Sequence, residues 1–193
     1  MLAVSAIRNR DKVGLVLFSE GVELYIPPAK GRTHILRLIR EALFFQPEKR
    51  GTDIGAALDF ANRVITRRAV VFLVSDFNPG APLTDKLAAL RKKLRLTSRH
   101  HDVIAVSVAD PREGELPDVG RLCVEDSETG AVVELNTRSQ RVREAWRRQY
   151  DERRAKTAAT IRSSGVDLLE FATGQNWLPE LVNFFRNRRH RIG

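Results

Sequence analysis

Residues 69–77 read A-V-V-F-L-V-S-D-F, and five of them in succession, Val70 to Val74, are bulky or β-branched apolar residues with no alternation. Such a run offers neither face to water, so it predicts a strand buried on both sides, as in the middle of a parallel sheet with helices on each face. Ser75 and Asp76 end the run. Polar groups at the carboxyl end of such a strand stand where open α/β sheets bind ligands, and function is sought first along that edge.

The rest of the chain supports a doubly wound, mostly parallel α/β sheet flanked by helices. Residues 1–10 read as the last turns of a helix, with Leu2, Ala3, Ala6 and Ile7 at helical spacing. Residues 13–18 (V-G-L-V-L-F) and 103–108 (V-I-A-V-S-V) predict further buried strands, and residues 167–171 a shorter one. Alternation from Val22 to Ile26 predicts an antiparallel edge strand that Pro27 and Pro28 end.

Thr33 is placed to cap a helix with Ile35, Leu36, Leu38, Ile39, Ala42 and Leu43 on its apolar face. A second helix runs from Thr52-Asp53 to about Thr66, and Leu83, Leu87, Leu90 and Leu94 mark a third. Residues 78–82 (N-P-G-A-P) form a loop between them. Residues 116–136 break the strand–helix rhythm as a β-hairpin addition, followed by a long helix over residues 137–164 and a last one over residues 177–189. On that last helix Trp177, Leu178, Leu181, Val182, Phe184 and Phe185 read as core-facing.

At 193 residues and 42% hydrophobic, the chain fits one domain over residues 1–193. Cys123 is its sole cysteine, which excludes an internal disulfide or a cysteine-rich zinc site and suits a reducing cytoplasm. No apolar run approaches the roughly 20 residues that cross a bilayer, so a soluble, cytoplasmic chain is expected.

The formal charge of +9 favours anionic partners such as nucleic acid or a membrane surface, and the cations gather late, around residues 138–156 and in the basic tail over residues 186–193. A basic nucleic-acid-associated domain is therefore the alternative reading, with polyanion binding that falls steeply with salt. Against it, Trp146, Tyr150 and Trp177 read as residues packed on the sheet, and the basic helix as a solvated face laced with i,i+4 pairs.

A hydrolase would need a base, and His100 and His101 beside Asp102 are the candidates, with Ser75 or Ser107 as nucleophile. No Gly-x-Ser-x-Gly elbow, His-Glu-x-x-His or glycine-rich phosphate loop accompanies them, so a noncatalytic protein is expected.

Two loops carry a family pattern. Taken alone, Thr52-Asp53 before a helix is a cap and Asp76 after a strand is a turn former. Together, G-T-D-I-G-A-A-L before a helix and V-F-L-V-S-D-F after it resemble the second and third metal-site loops of a von Willebrand factor A domain. With D-K-V-G-L-V-L-F-S and I-P-P-A-K-G-R-T-H-I-L-R-L-I-R-E, the chain up to about Asp110 resembles the family catalogued as domain of unknown function 58.

The resemblance implies a metal-ion-dependent adhesion site at the carboxyl edge of the sheet. Thr52 would match its threonine and Asp76 its aspartate, and Thr52, Asp53, Asp76 and Phe77 would face a partner. Intact relatives would hold Mg²⁺ there and present it to an acidic residue of that partner, and the implied partner is a MoxR-type AAA+ ATPase acting in assembly or maturation of other proteins. The Asp-x-Ser-x-Ser loop of the pattern does not occur in this sequence. The expectation is therefore an N-terminally truncated A domain without its first central strand and with little or no Mg²⁺ bound, in which the strands at 13–18 and 70–74 either pair directly or leave open edges.

Overall fold

A computed structural model describes residues 9–49, 51–78, 83–125 and 130–192. Most of the helix expected over residues 1–10, residues 79–82 of the loop after Asp76, and residues 126–129 of the hairpin turn lie outside the described residues. The chain divides into two compact units, residues 1–64 with 127–129, and residues 65–126 with 130–193.

The first unit holds β1 (Val13–Phe18), β2 (Val22–Ala29), α1 (Arg32–Phe44) and α2 (Ile54–Val64). β1 and β2 form an antiparallel hairpin. The prolines do not end β2, which runs on through Pro27 and Pro28 to Ala29. The register explains why: Val13 pairs with Ala29 and Leu15 with Ile26, so two residues face Gly14 in a bulge where missing amide donors cost little. Glycine is required opposite them, because a Cβ on residue 14 would lie 2.9 Å from the Ile26 carbonyl oxygen.

Thr33 does not cap α1. The helix begins at Arg32 behind Gly31, whose φ of 109° only glycine adopts readily and whose carbonyl accepts from the Ile35 amide at 3.1 Å. Its buried stripe is Ile35 and Leu38, while Leu36 and Leu43, expected to face inward, are exposed. In α2 the buried residues are Ala57, Leu58 and Ala61, and Phe60 meets Tyr25 of β2 edge to face at 5.2 Å.

The second unit contains β3 (Val70–Ser75), α3 (Leu83–His100), β4 (Asp102–Ala109), β5 (Arg121–Glu125), β6 (Val132–Asn136), α4 (Gln140–Arg162), β7 (Asp167–Ala172) and α5 (Leu178–Ile192). β3, β4 and β7 form a parallel sheet in that order, with helices on its faces. α3 and α4 pack on each other, α3 also on β4 and α4 on β7, the placement that right-handed crossovers between successive parallel strands give. α5 seats Leu181, Phe184 and Phe185 against Ile104, Val106 and Leu169. Trp177, Leu178 and Val182 are more exposed than a core-facing reading implies.

β4, with Ile104 and Ala105 fully buried, is the central strand. β3 is not: β4 is its one partner among the described residues, and Val70 and Val74 are each 55% exposed. The apolar run marks a strand whose sequence suits burial on both faces, but the side of β3 away from β4 has no strand beside it among the described residues. Among the described residues, β1 pairs with β2 and β3 with β4, and no pairing of β1 with β3 is seen.

The hairpin addition is β5 with β6, antiparallel from Arg121↔Asn136 to Glu125↔Val132. Fully buried Thr137 closes its base, its hydroxyl donating to the Gly120 carbonyl at 2.8 Å and accepting from the Val119 amide at 3.2 Å. Trp146 and Tyr150 of α4 are held by the segment after β4 rather than by the sheet. The Trp146 indole donates to the Glu113 carbonyl at 2.8 Å, and Tyr150 lies against Gly114, where a Cβ would come within 2.8 Å of the ring.

Candidate functional site

In the first unit the Gly51-Thr52-Asp53 loop is fastened to the carboxyl end of β1. The Asp53 amide donates to the Ser19 carbonyl at 2.7 Å, and Gly51 lies against Glu20, whose Cγ would be 2.7 Å from an added Cβ. Glu23 supports the same loop: it accepts from the Ser19 hydroxyl and from the Glu48 amide at 2.8 Å, and these hydrogen bonds, the first from Ser19, hold its carboxyl below the usual range. Asp53 caps α2, its Oδ1 accepting from the Ala56 amide at 2.9 Å. Thr52, just before the cap, is exposed.

In the second unit Asp76 follows the last residue of β3 and is exposed. It also forms a turn. Oδ1 accepts from the Asn78 amide at 3.1 Å and the Ser75 hydroxyl at 3.2 Å, while the Phe77 amide donates to Ser75 Oγ at 3.0 Å. Phe77, expected at a partner surface, is only 3% exposed and has a left-handed φ of 52°. Its ring therefore anchors the turn from inside, leaving Asp76 and Asn78 outside.

Sequence reasoning missed two further acids at this carboxyl edge, Asp110 directly after β4 and Glu113 in the 3-10 turn Pro111–Gly114. The signal available was Asp110-Pro111 after a buried strand. Arg112 clasps Asp110 at 3.0 Å and holds its carboxyl below the usual range. The Glu113 carboxyl is held above that range, first by partial burial and then by repulsion from Asp76 and Asp110. Among the described residues no three His, Cys, Asp or Glu side chains form a group that could hold a metal ion. Mg²⁺ takes near-octahedral oxygen ligation, and Asp76 Oδ1 is already engaged by the Asn78 amide and the Ser75 hydroxyl.

The histidines do not meet the serines. The strand register pairs Val70 with Asp102 and Ser75 with Ser107, so His100 and His101 stand at the amino edge, about 16 Å of strand away from Ser75 and Ser107. His101 is 3% exposed, and its Nδ1 has no hydrogen-bond partner among the described residues. Burial, and then the neighbouring His100, lower its pKa. The folded chain thus resists a proton that the unfolded chain accepts, so stability is full above about pH 6.5 and declines as pH falls below it. Denaturant titrations across that range should show the decline, and His101→Gln should reduce it.

The basic tail is less free than its composition suggests. Arg188 pairs with Asp102 and, at 3.5 Å, with Asp167, at the starts of β4 and β7. Arg186 is exposed, and the side chains of residues 189–193 lie outside the described residues. No helix among the described residues is long and apolar enough to cross a membrane.

Residues 1–156 match the family described as protein of unknown function DUF58. An uncharacterized protein of Mycobacterium bovis is 30% identical over 181 residues, covering 93% of this chain and 55% of its own length, and one from Mycobacterium tuberculosis matches equally. An uncharacterized Mycobacterium avium protein is 33% identical over 137 residues, covering 71% of this chain and 76% of its own length. The chain thus spans about half the length of the first two curated relatives. Among solved structures, the conserved hypothetical protein BatB from Bacteroides thetaiotaomicron is similar in fold, with a TM-score of 0.51 at 16% identity over 100% of this chain and 86% of that one. With its first 156 residues matched, the chain belongs to the DUF58 family.

Proposed function

We propose that the chain is a noncatalytic protein-binding module of the von Willebrand factor A type that uses the carboxyl edge of its sheet. Its proposed partner is a MoxR-type AAA+ ATPase in the assembly or maturation of other proteins. One observation carries the reading: exposed Asp76 follows the carboxyl end of a parallel strand on a turn pinned by the buried, left-handed Phe77. A left-handed non-glycine residue costs about 1–3 kcal/mol, and such strain clusters where backbone geometry serves binding. The fastening of Thr52-Asp53 to the carboxyl end of β1 supports the same assignment in the first unit.

Mg²⁺ is a ligand of the intact family pattern. For this chain, calorimetric titration is expected to give affinity no better than about millimolar, because two protein oxygens do not offset the cost of dehydrating the ion. Micromolar binding would refute that donor count. The partner assignment is tested by capture of a MoxR-type ATPase on this chain and on a version lengthened upstream. Failure of both, with and without Mg²⁺, would count against it.

A further inference from the structure

The second unit's outer helical layer carries cations that ion pairing does not account for. α3 has six Lys or Arg and one acid, Asp85, while α4 has eight and three. Asp151 of α4 and acids of neighbouring segments engage part of the set: Arg143 pairs with Asp118, Arg147 with Glu115 and Asp151, and Arg154 and Arg162 with Glu170. On α3, Arg95 donates to the Ser163 carbonyl at 3.3 Å, joining the two helices. Six others, Arg91, Lys92, Arg99, Arg141, Arg148 and Lys156, form no ion pair with a described residue. On α4 the i,i+4 ion pairing expected of a solvated helix is limited, among the described residues, to Arg147–Asp151, beside the Gln140–Glu144 hydrogen bond.

We propose that the α3–α4 layer is a docking surface for an anionic lipid membrane. The helices pack side by side, about 8–10 Å between axes, and the α4 cations from Arg141 to Lys156 extend over about 22 Å. The product is a broad surface of net positive charge, with exposed Glu144 and Glu152 interspersed among the α4 cations, rather than a pocket for one anion. Leu96, 44% exposed, stands between Lys92 and Arg99 on α3, where an apolar side chain gains from lipid but gains nothing from phosphates alone. The neighbouring aromatic residues, Trp146 and Tyr150, are committed to the 110–114 segment and cannot stack on bases. Charge complementarity together with this apolar contact favours a lipid surface over nucleic acid.

The test is co-sedimentation of the 193-residue chain with vesicles of phosphatidylcholine alone or with about a third phosphatidylserine. Binding is expected only to the anionic vesicles and is lost as salt rises from about 0.1 to about 0.5 M. Each cation contributes about fivefold, so joint Arg141→Ala and Arg148→Ala substitution should weaken binding about 25-fold while leaving the thermal midpoint unchanged. Leu96→Ser should weaken vesicle binding without altering retention on duplex DNA. Equal sedimentation with both vesicle types, or undiminished binding by the double variant, would overturn the proposal. So would a preference for duplex DNA over anionic vesicles at the same salt.

Discussion

Arg188→Met is expected to destabilise the second unit by about 2–4 kcal/mol, read as a lowered denaturant midpoint with an unchanged slope. Arg188, with 15% of its side chain exposed, reaches from α5 to Asp102 and Asp167, exposed by 33% and 30%, and stacks over Phe184 at 5.8 Å. Removing it takes the guanidinium away from two half-buried carboxylates at the starts of adjacent parallel strands. Loss of a fully buried pair costs about 3–5 kcal/mol, and residual solvent access sets the lower range here. Adding Asp102→Asn and Asp167→Asn should recover much of the loss, since it removes the negative charge that Arg188 offsets. Arg188→Lys should recover less, because one ammonium cannot reproduce the guanidinium fork across two carboxylates. If the triple variant is no more stable than Arg188→Met, packing rather than charge holds α5 in place.

Gly114→Val is expected to cost about 2–3 kcal/mol by overpacking. Even a Cβ at this buried position would be 2.8 Å from the Tyr150 ring. Tyr150 has little freedom to retreat, because Arg154 donates to its hydroxyl at 3.3 Å and Trp146, one turn earlier, is bonded to the Glu113 carbonyl. Tyr150→Ala in the same background should relieve the collision, giving a combined cost below the sum of the single changes. Simple additivity would show that the glycine is not needed for this contact.

The sequence made the local elements legible where one physical signal dominated. The apolar runs at Val70–Ser75 and Asp102–Ala109, the leucine face of α3 and the Asp53 cap follow directly from strand burial, helical spacing and capping. Pairing partners were less visible. Nothing within residues 70–74 distinguishes a central strand from one with a single neighbour, and the bulge that carries Pro27 and Pro28 depends on Gly14 across the hairpin. Arg188 read as one cation in a basic tail because its acids are 86 and 21 positions away, at strand starts that only the fold brings together. Of the candidate site residues, Thr52-Asp53 was legible as a helix start and Asp76 as the turn after a strand. The inward turn of Phe77 and the repulsion acting on Glu113 were not, because both depend on tertiary neighbours.

The central claim is that the carboxyl edge marked by Asp76 receives a protein partner. The most direct measurement is calorimetric titration of a MoxR-type ATPase into the protein at the length of its mycobacterial relatives, as wild type and as Asp76→Ala. Binding weakened at least about tenfold by the substitution, a difference of about 1.4 kcal/mol, is the predicted result. Equal affinity for the two proteins, with the fold intact in both, would contradict it.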